Sequence, residues 1–349
     1  MTKQRVRIGI VGAGANTRLR HIPNFRGIDG VELVGVVNRT PQSGARVAQE
    51  FGIPKVFPDW KALVNDPGVD AVMIGTWPYM HCEVACAALE AGKHVLTEAR
   101  MAASVAEARK MVAAAKARPD RIAQIVPSPF GLESGPLMKQ LLDQDYLGGL
   151  RELVVIAADD VFWDYSRPIH WRQEARYSGI NVLSLGILHE TAMRWAPAVE
   201  RVFAQATTFE KVRPDLELGE TVPVSVPDSL QIVTQHAGGA RGMYHVSGVT
   251  LHGPGKQIHL YGPRGTIKIE FGEQEKIWVG HHGEKGLKLA EIPAELKGGW
   301  RVEEEFIGAI RGEEPVRLND FATGLKYMEF TEAVALSAER GLPLSLPLA

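Results

Sequence analysis

Two glycines near the start of the chain stand where a phosphate-binding turn would need them. Gly12 and Gly14 follow a short apolar run and precede a segment with helical character. Gly12 permits a tight turn, and Gly14 lets the backbone approach a pyrophosphate held by the amide groups of Ala15 and Asn16 at the start of the helix. Thr17 replaces the third glycine of the usual G-x-G-x-x-G pattern, and a turn without a ligand is the alternative. Because the glycines join a strand to a helix, we expect a nicotinamide dinucleotide site.

The residues after the second apolar strand indicate which dinucleotide would bind. NAD is normally selected by an Asp or Glu at this point, which bonds the ribose 2′-hydroxyl. The chain has Asn38 here, followed by Arg39 and Thr40. Asn38 does not repel a 2′-phosphate, and Arg39 can form a charge-assisted hydrogen bond to one, which contributes roughly 1.5–3 kcal/mol. We therefore expect NADP(H) to be preferred over NAD(H); stacking of Arg39 on the adenine and helix capping by Thr40 are the alternatives.

Two further pairs of residues could bind a metal, but both are incomplete. Cys82 and Cys86 are four residues apart, on one face of a predicted helix. His281 and His282 fall in a stretch flanked by glycines. Neither pair has the additional ligands that a metal site needs, so we expect reduced thiols, a solvated loop and no metal.

Strands and helices must position these residues, and the two alternate over the first third of the chain. The sequence predicts strands over 7–11, 31–37, 71–74, 94–96 and 122–126, and helices over 18–25, 41–52, 79–92 and after the capping pair Ser104 and Glu107. Thr40 and Pro41 have the residue types of a helix N-cap and first helical position. This alternation predicts a parallel, doubly wound sheet in an α/β N-terminal Rossmann domain, residues 1–126.

After Pro127 the pattern changes to runs of strands linked by glycine turns. Predicted strands cover 153–157, 199–209, 229–235, 241–249, 257–261 and 266–271, and predicted helices cover 137–142, 181–195, 302–311 and 321–340. This pattern is typical of an α+β domain with a large, mostly antiparallel open sheet. We assign residues 127–349 to that domain.

Length and composition allow two domains and disfavour two classes of partner. With 349 residues, 45% of them hydrophobic, the chain can build two separate cores. Its 39 Lys and Arg against 41 Asp and Glu give a net charge of −2, whereas nucleic-acid binding needs a basic surface. No apolar stretch is long enough to span a bilayer and no signal-peptide core is visible. We expect a cytoplasmic protein with neither nucleic-acid nor membrane partners.

Several segments together resemble the glucose–fructose oxidoreductase/inositol dehydrogenase/MocA (Gfo/Idh/MocA) family over nearly the whole chain. The likeness includes the glycine turn, Thr76 to His81 and, most specifically, Ala91 to Glu98 (AGKHVLTE); it continues in Leu147-Gly148, in Gly262 to Ile267 and in the closing helices. The resemblance implies a Rossmann domain that carries the cofactor and a second domain, residues 127–349, that binds substrate. It also implies that the sheet of this second domain builds a homo-oligomer, a homodimer or homotetramer. It also implies oxidation of a secondary alcohol of a sugar, cyclitol or related polyol.

The same resemblance implies roles for four residues on the cofactor side. Thr76 and Trp77 belong to a loop beside the nicotinamide, and Trp77 would cover one face of that ring. His81 would shape the nicotinamide side, with local helix packing as the alternative. Glu98 would bond the nicotinamide ribose hydroxyls, which is an orienting role and not proton transfer.

The catalytic pattern of the family is replaced at three places. Glu-Lys-Pro of the family is Glu98-Ala99-Arg100 here, so the lysine is absent; Asp-x-Gly-x-His is the run from Ser184 to Leu188, without Asp or His; and the usual Pro-Asn is Trp77-Pro78. A positioned general base typically contributes 10²–10⁴-fold to the rate. Other residues must therefore transfer the proton, or the reaction is not an ordinary alcohol oxidation.

Three residues are candidates for the missing catalytic role. His189 follows the position vacated by the family's histidine, although one residue along a helix rotates a side chain by about 100°. His170 and Arg172 precede that helix in the segment that passes the substrate cleft in the family, where the histidine could exchange a proton and the arginine could hold a carboxylate or phosphate. The alternatives are a packed histidine for His189, a structural role for His170 and a salt bridge for Arg172.

These observations leave one leading function and two alternatives. The leading one is an NADP(H)-preferring oxidoreductase that transfers hydride to or from a secondary alcohol or carbonyl of a polyhydroxylated substrate. The second is a redox-neutral lyase, hydrolase or epimerase that uses a tightly bound nicotinamide cofactor transiently, and the third is a nucleotide-binding sensor without catalysis.

Overall fold

A computed structural model of the chain describes residues 3–348. Its strands, in chain order, are β1 Val6–Val11, β2 Val31–Val37, β3 Ala71–Ile74, β4 His94–Thr97, β5 Ala123–Ile125, β6 Glu152–Ala158, β7 Val199–Thr207, β8 Val212–Asp215, β9 Glu220–Pro223, β10 Ser229–His236, β11 Arg241–Ser247, β12 Gly255–Tyr261, β13 Gly265–Phe271, β14 Glu275–His281, β15 Lys288–Ala290 and β16 Leu344–Ser345.

The α-helices are α1 Ile22–Gly27, α2 Pro41–Glu50, α3 Trp60–Val64, α4 His81–Glu90, α5 Val105–Ala117, α6 Gly135–Asp143, α7 Ala175–Ser178, α8 Leu185–Met193, α9 Val302–Ile310 and α10 Phe321–Arg340. A π-helical turn, Thr17–His21, precedes α1. Two predicted helix starts have the expected chemistry: Thr40 accepts a hydrogen bond from the Ser43 amide, with Pro41 next to it, and Ser104 accepts one from the Glu107 amide.

The first sheet, within the described residues, has five parallel strands in the order β2-β1-β3-β4-β5. Every residue of β3 is buried, as expected for a strand covered on both faces of a parallel sheet. The order changes direction at β1, and ligands of open α/β sheets bind at the carboxyl edge beside such a switch point. This topology confirms the predicted Rossmann fold.

The second sheet, over the part of the chain that the structure describes, has nine strands in the order β15-β14-β13-β12-β6-β11-β10-β7-β16. Only the β6–β11 pairing is parallel among these described strands. Buried and exposed residues alternate along β10, which leaves one face of the sheet outward. The predicted open, mostly antiparallel sheet is confirmed, and β8 and β9 form a separate two-stranded ribbon.

Contacts within the chain define two compact units, and one segment departs from the expected division. The first unit extends through Pro127 and also includes Arg301–Met328; the second comprises Ser128–Trp300 and the chain from Glu329 onward. The second unit is therefore not the uninterrupted range 127–349. The physical reason is packing, because Phe306 of α9 contacts Phe25 of α1 edge-on, with ring centroids 6.4 Å apart, and the Met101 amide donates to the Tyr327 hydroxyl.

Membrane-spanning helices and clusters of metal ligands are both absent from the described residues. No helix within residues 3–348 has the length and apolar character required to cross a membrane. In the same range, no group of three or more His, Cys, Asp or Glu side chains is arranged to hold a metal ion.

Candidate functional site

The glycine turn packs against the end of β3 so closely that side chains are excluded. Gly12 has φ +84°, and a Cβ on it would lie 2.6 Å from Thr76 Cγ2 and 2.9 Å from the Thr76 backbone nitrogen. A Cβ on Gly14 would lie 3.3 Å from the Gly75 carbonyl oxygen. The Gly12 amide donates to the Val37 carbonyl at 2.8 Å, which fixes the turn on β2. The turn therefore needs glycine for both its backbone conformation and its contacts.

A cavity of about 650 Å³ opens beside this turn. Its lining comes from the ends of β1, β2 and β3, from the residues that follow each of them, and from the start of α3. The residues that bear on its function are Gly12, Gly14, Asn38, Arg39, Trp60 and Trp77. The walls combine backbone, one cationic side chain and two indole rings, which suits a ligand with phosphates and a flat ring.

The three residues after β2 have different surroundings. The Asn38 side-chain oxygen accepts a hydrogen bond from the Ala13 amide at 2.7 Å, so it holds the glycine turn. Arg39 is exposed and lines the cavity. Thr40 Oγ1 accepts the Ser43 amide at 3.2 Å, so its side chain caps α2.

The loop after β3 presents a polar atom with no partner. Thr76 Oγ1 is buried and has no hydrogen-bond partner, and Thr76 lines the cavity together with Trp77. His81 is fully buried, with Nε2 3.0 Å from the Thr76 carbonyl oxygen and Nδ1 2.9 Å from that of Arg100. Burial lowers the pKa of His81. His81 thus ties this loop to the segment after β4, which is a supporting position.

Glu98 belongs to a buried charged cluster that the sequence analysis did not identify. Its Oε1 accepts a hydrogen bond from Asn16 Nδ2 at 2.5 Å and lies 3.0 Å from His21 Nε2. The other ring nitrogen of His21, Nδ1, is hydrogen-bonded to Glu303 Oε1, and Asn24 Nδ2 donates to Glu303 Oε2 at 3.0 Å. We call Glu98, His21 and Glu303 the carboxylate–imidazole cluster.

Both carboxyl groups of the cluster are held ionised. Burial raises the pKa of Glu98 and of Glu303, but hydrogen bonds from His21 outweigh it and lower both values. Burial alone would lower the pKa of His21, yet the hydrogen bonds to Glu303 and Glu98 raise it to about 9. The ring is therefore an imidazolium at neutral pH.

Two signals in the sequence could have pointed to this cluster. His21 lies seven residues after Gly14, in a segment otherwise expected to be an ordinary helix, and Glu303 stands in a run of three glutamates at the start of α9. The π-helical turn that ends at His21 changes which residues face inward, and such turns are frequent at functional sites. The pairing itself could not be inferred, because 282 positions separate the two residues.

His189 lies in the hydrophobic core of the second unit, not at an accessible position. Its Nδ1 is 2.9 Å from the Tyr244 hydroxyl, and its ring stacks on Phe330 with centroids 3.6 Å apart. Burial lowers the pKa of His189 to about 3. The partly exposed face of α8 and its N-cap carries Ser184 and Ile187, and His189 is two positions further round the helix, about 200° away. This geometry corrects the assignment of His189 as an acid or base in favour of packing.

His170 and Arg172 lie next to each other at a short 3₁₀ turn of the second unit. His170 Nδ1 accepts the Arg172 amide at 3.2 Å and caps the turn, and its amide donates to Gln173 Oε1 at 3.1 Å. Burial, and then the charge of Arg172, lower the pKa of His170 to about 4. The Arg172 guanidinium lies over the Trp171 ring, 4.2 Å from its centroid, which is a cation–π contact.

The residues of the first unit fit a nicotinamide dinucleotide in three respects. The glycine turn lies at the cavity wall, where its backbone is not covered by side chains at Gly12 and Gly14. Thr76 Oγ1 is buried without a partner at the cavity wall. Arg39 supplies a cation at the end of β2. Each of these features would be satisfied by a ligand with phosphate and hydroxyl groups.

Comparisons with known proteins agree with this fit. Residues 6–125 match the model of an oxidoreductase family with an NAD-binding Rossmann fold, and residues 137–268 match the GFO/IDH/MocA C-terminal domain. The chain is 27% identical to the uncharacterized oxidoreductase ORF334 of Rhizobium meliloti, covering 96% of this chain and 98% of that one. It is 28% identical to trans-1,2-dihydrobenzene-1,2-diol dehydrogenase of Mus musculus, covering 78% and 76%. A levoglucosan dehydrogenase in complex with NADH and L-sorbose has the same fold, with TM-score 0.87, 21% identity and coverage of 98% and 99%.

Proposed function

Because the chain belongs to the GFO/IDH/MocA family of nicotinamide-dependent dehydrogenases, we propose that it transfers hydride between NADP(H) and a secondary alcohol or carbonyl of a sugar, cyclitol or related polyol. The observation that carries the cofactor choice is the end of β2, where Arg39 lines the cavity and no carboxylate follows the strand. The substrate class rests on similarity to proteins named for levoglucosan and for a dihydrodiol.

The preference for NADP(H) follows from the charges around the cavity. A carboxylate at the end of β2 would bond the ribose 2′-hydroxyl and repel a 2′-phosphate, but Asn38 is neutral and its oxygen is engaged with the Ala13 amide. Arg39 can pair with a 2′-phosphate. Asp59 also lines the cavity, and its Oδ1 accepts the Ala62 amide at 2.8 Å as the cap of α3. Arg39 therefore places a positive charge at the end of β2, where Asn38 and Thr40 on either side of it are neutral.

The remaining residues of the first unit bind and orient the dinucleotide. The bound cofactor supplies the hydride donor or acceptor. Amide groups at Gly14, Ala15 and Asn16 face the pyrophosphate at a helix N-terminus. Thr76 and Trp77 contact the ligand from the β3 side, and Glu98 accepts hydrogen bonds from ribose hydroxyls.

Substrate contacts are assigned to the second unit. His170 is neutral at pH 7 because its pKa is about 4, so it accepts or donates hydrogen bonds without carrying charge. Arg172 holds an anionic or hydroxyl group, and Trp171 gives it a fixed platform. We retain these two residues as candidate substrate-binding residues and place no proton transfer on His189.

Substitution of Arg39 tests the cofactor choice. In Arg39→Ala, we expect the Kd of NADPH to rise about ten- to a hundredfold, the effect of one lost charge-assisted hydrogen bond, while the Kd of NADH changes little. Binding is followed through quenching of the indoles at Trp60 and Trp77, which line the cavity. Arg46→Ala is the matched control, since it removes the same charge from an exposed position on α2.

Three outcomes separate the alternatives. A substitution at Arg39 that weakens both cofactors equally, or neither, contradicts the NADP(H) preference. Protein that binds neither dinucleotide contradicts the oxidoreductase assignment itself. A panel of sugars, cyclitols and their oxidised forms, followed at the nicotinamide absorbance, tests the substrate class. Cofactor that co-purifies without net turnover, with solvent deuterium entering the substrate, would instead support redox-neutral chemistry.

A further inference from the structure

The carboxylate–imidazole cluster has one accessible member and two that solvent does not reach. The side chain of Glu98 is 15% exposed, whereas those of His21 and Glu303 are 0% exposed. Two fully enclosed ionisable groups are unusual without a reason, because each loses its hydration on burial. His21 contacts Glu98 directly, and Glu303 contacts His21, so the two buried groups connect to the partly exposed carboxylate of Glu98 through the imidazole ring.

Glu98 lies at the edge where the dinucleotide would extend past the turn. Its backbone amide donates to the Ile74 carbonyl at 2.9 Å, so it directly follows β4 at the carboxyl edge of the sheet. Asn16, from the glycine turn, donates to its side chain. In this fold the adenosine half lies over β2 and the pyrophosphate at β1, so the nicotinamide half passes over β3 and β4.

The two carboxylates that flank His21 favour the protonated form of its ring. An ionised carboxylate can only accept hydrogen bonds, and neutral imidazole has a single N–H group. His21 places Nε2 against Glu98 and Nδ1 against Glu303, so both nitrogens must donate when both carboxylates are ionised. The cluster then carries two negative charges and one positive charge.

We propose that His21 is a positioning residue: as an imidazolium backed by Glu303, it holds Glu98 ionised and in one orientation for the hydroxyls of the nicotinamide ribose. This inference rests on the proposed function and assigns roles to two residues outside the glycine motif. Without the positive charge of His21, two buried carboxylates would face each other beside a site for phosphates, and one of them would take up a proton. A protonated Glu98 would lose part of its ability to accept hydrogen bonds from the ribose.

The groups that act on the cluster come from several elements. Glu98 follows β4 and accepts a hydrogen bond from Asn16 of the glycine turn. Glu303 belongs to α9 and accepts one from Asn24 of α1. His81 of α4 makes a smaller electrostatic contribution that lowers the pKa of Glu98. Because burial of the imidazole is outweighed by its two carboxylates, the pKa of His21 is about 9. We therefore expect cofactor affinity to be constant near neutral pH and to weaken as the pH rises through about 9.

The experiment measures the Kd of NADPH and NADH from pH 5.5 to 9.5 for wild type, His21→Gln and Glu303→Gln. His21→Gln should weaken binding about tenfold or more, the effect of a lost hydrogen bond to a charged group. Its Kd should no longer rise as the pH passes through about 9, because the titrating imidazole is absent. The Kd of this variant should instead rise at acid pH, because Glu98 is no longer held ionised. In Glu303→Gln the Kd should still rise at alkaline pH, but the rise should begin at a lower pH than in wild type, since the ring retains only one carboxylate.

Glu305→Gln is the matched control on the same helix. Glu305 is a largely buried acid of α9 whose Oε1 contacts Gln124 Nε2 and not His21. A role in packing alone would lower the melting temperature of the cluster variants. The pH profiles of His21→Gln, Glu303→Gln and Glu305→Gln would then all run parallel to that of wild type. That result, or wild-type affinity in folded His21→Gln at every pH, overturns the inference. If wild type binds neither dinucleotide, the proposed function has failed and not this inference.

Discussion

Buried histidines in this chain differ in charge because they differ in partners. His21 is enclosed between two carboxylates and carries a proton at neutral pH. His189 is enclosed between the Tyr244 hydroxyl and the Phe330 ring and is neutral. Burial lowers the pKa of both, and only hydrogen bonds to anions can reverse that effect. The residue type therefore does not indicate whether a histidine can act as an acid, because its neighbours decide.

We predict that His189→Gln lowers stability and spares catalysis. The loss of ring stacking and of the bond to Tyr244 should lower the free energy of unfolding by about 1–3 kcal/mol, measured by urea denaturation. The pKa of His189 in the folded protein, about 3, lies below its unfolded value of 6.5. The unfolded chain therefore binds this proton first as the pH falls, so wild-type stability declines from about pH 6.5 downward, and the variant lacks that part of the decline.

Tyr244→Phe is the companion variant, since it removes the hydroxyl that His189 contacts. The two changes should be less than additive in the double variant, because they break the same hydrogen bond. A His189→Gln protein of near-native stability that loses 100-fold or more in turnover would restore the acid–base role.

The element that positions the site is the tight junction between the glycine turn and the end of β3. Gly12 packs on Thr76, and Gly75 packs on the Gly12 carbonyl oxygen and on Thr17, so each chain segment leaves no room for a Cβ on the other. Thr17 takes the place of the third glycine of the motif, is buried and is the first residue of the π-helical turn. The departure from the motif at Thr17 is thus accommodated within the turn, whose first two glycines remain necessary.

Gly12→Ala should damage both the fold and the site. The left-handed backbone at φ +84° costs an alanine about 1–2 kcal/mol, and the new Cβ would press on Thr76, which lines the cavity. We expect a lower melting temperature and dinucleotide binding weakened by about tenfold or more in a fluorescence titration, a loss of roughly 1.4 kcal/mol in binding. Gly27→Ala is the control, since nothing lies within 4 Å of a Cβ there. Equal effects of the two changes would show that the turn tolerates a side chain.

At the scale of the whole molecule, the outward face of the nine-stranded sheet is the surface most suited to self-association. Hydrogen-bonded partners across four strands form an apolar row, Phe203–Val233–Met243–Val154, in which Val233 is 53% and Met243 50% exposed. A parallel row of Arg201, Gln235, Arg241 and Glu152 borders it. An apolar centre with a polar rim is typical of an interface. We propose that this face forms a homodimer or homotetramer.

Met243→Glu should separate the subunits. A charge placed in the centre of the apolar row would lose its hydration on association, so we expect the molar mass from light scattering to fall toward that of a 38.2 kDa monomer. Leu216→Glu is the control, an exposed apolar position on the turn between β8 and β9, away from the apolar row. Wild type that is itself monomeric at micromolar concentration would contradict the proposal.

Local patterns in the sequence were sufficient for most of the elements and for the glycine turn. The glycines at 12 and 14, the fully apolar β3 and the cap at Thr40 act through neighbours in the chain, so they could be recognised without coordinates. The helix expected over 181–195 is shorter, Leu185–Met193, because Leu183 has φ +45° just before it. β14 was missed, and His281 ends that strand where a loop was expected.

Only the tertiary structure decided the environment of the ionisable side chains. Whether His189 faces a cleft or the core depends on the rotation of α8 against Tyr244 and Phe330. Whether His21 is charged depends on Glu303, which α9 brings to it from the far end of the chain. Arg301–Met328 belongs to the first unit, and the alternation of strands and helices along the sequence could not predict this. Periodicity depends on near neighbours in sequence, whereas charge and reactivity depend on neighbours in space.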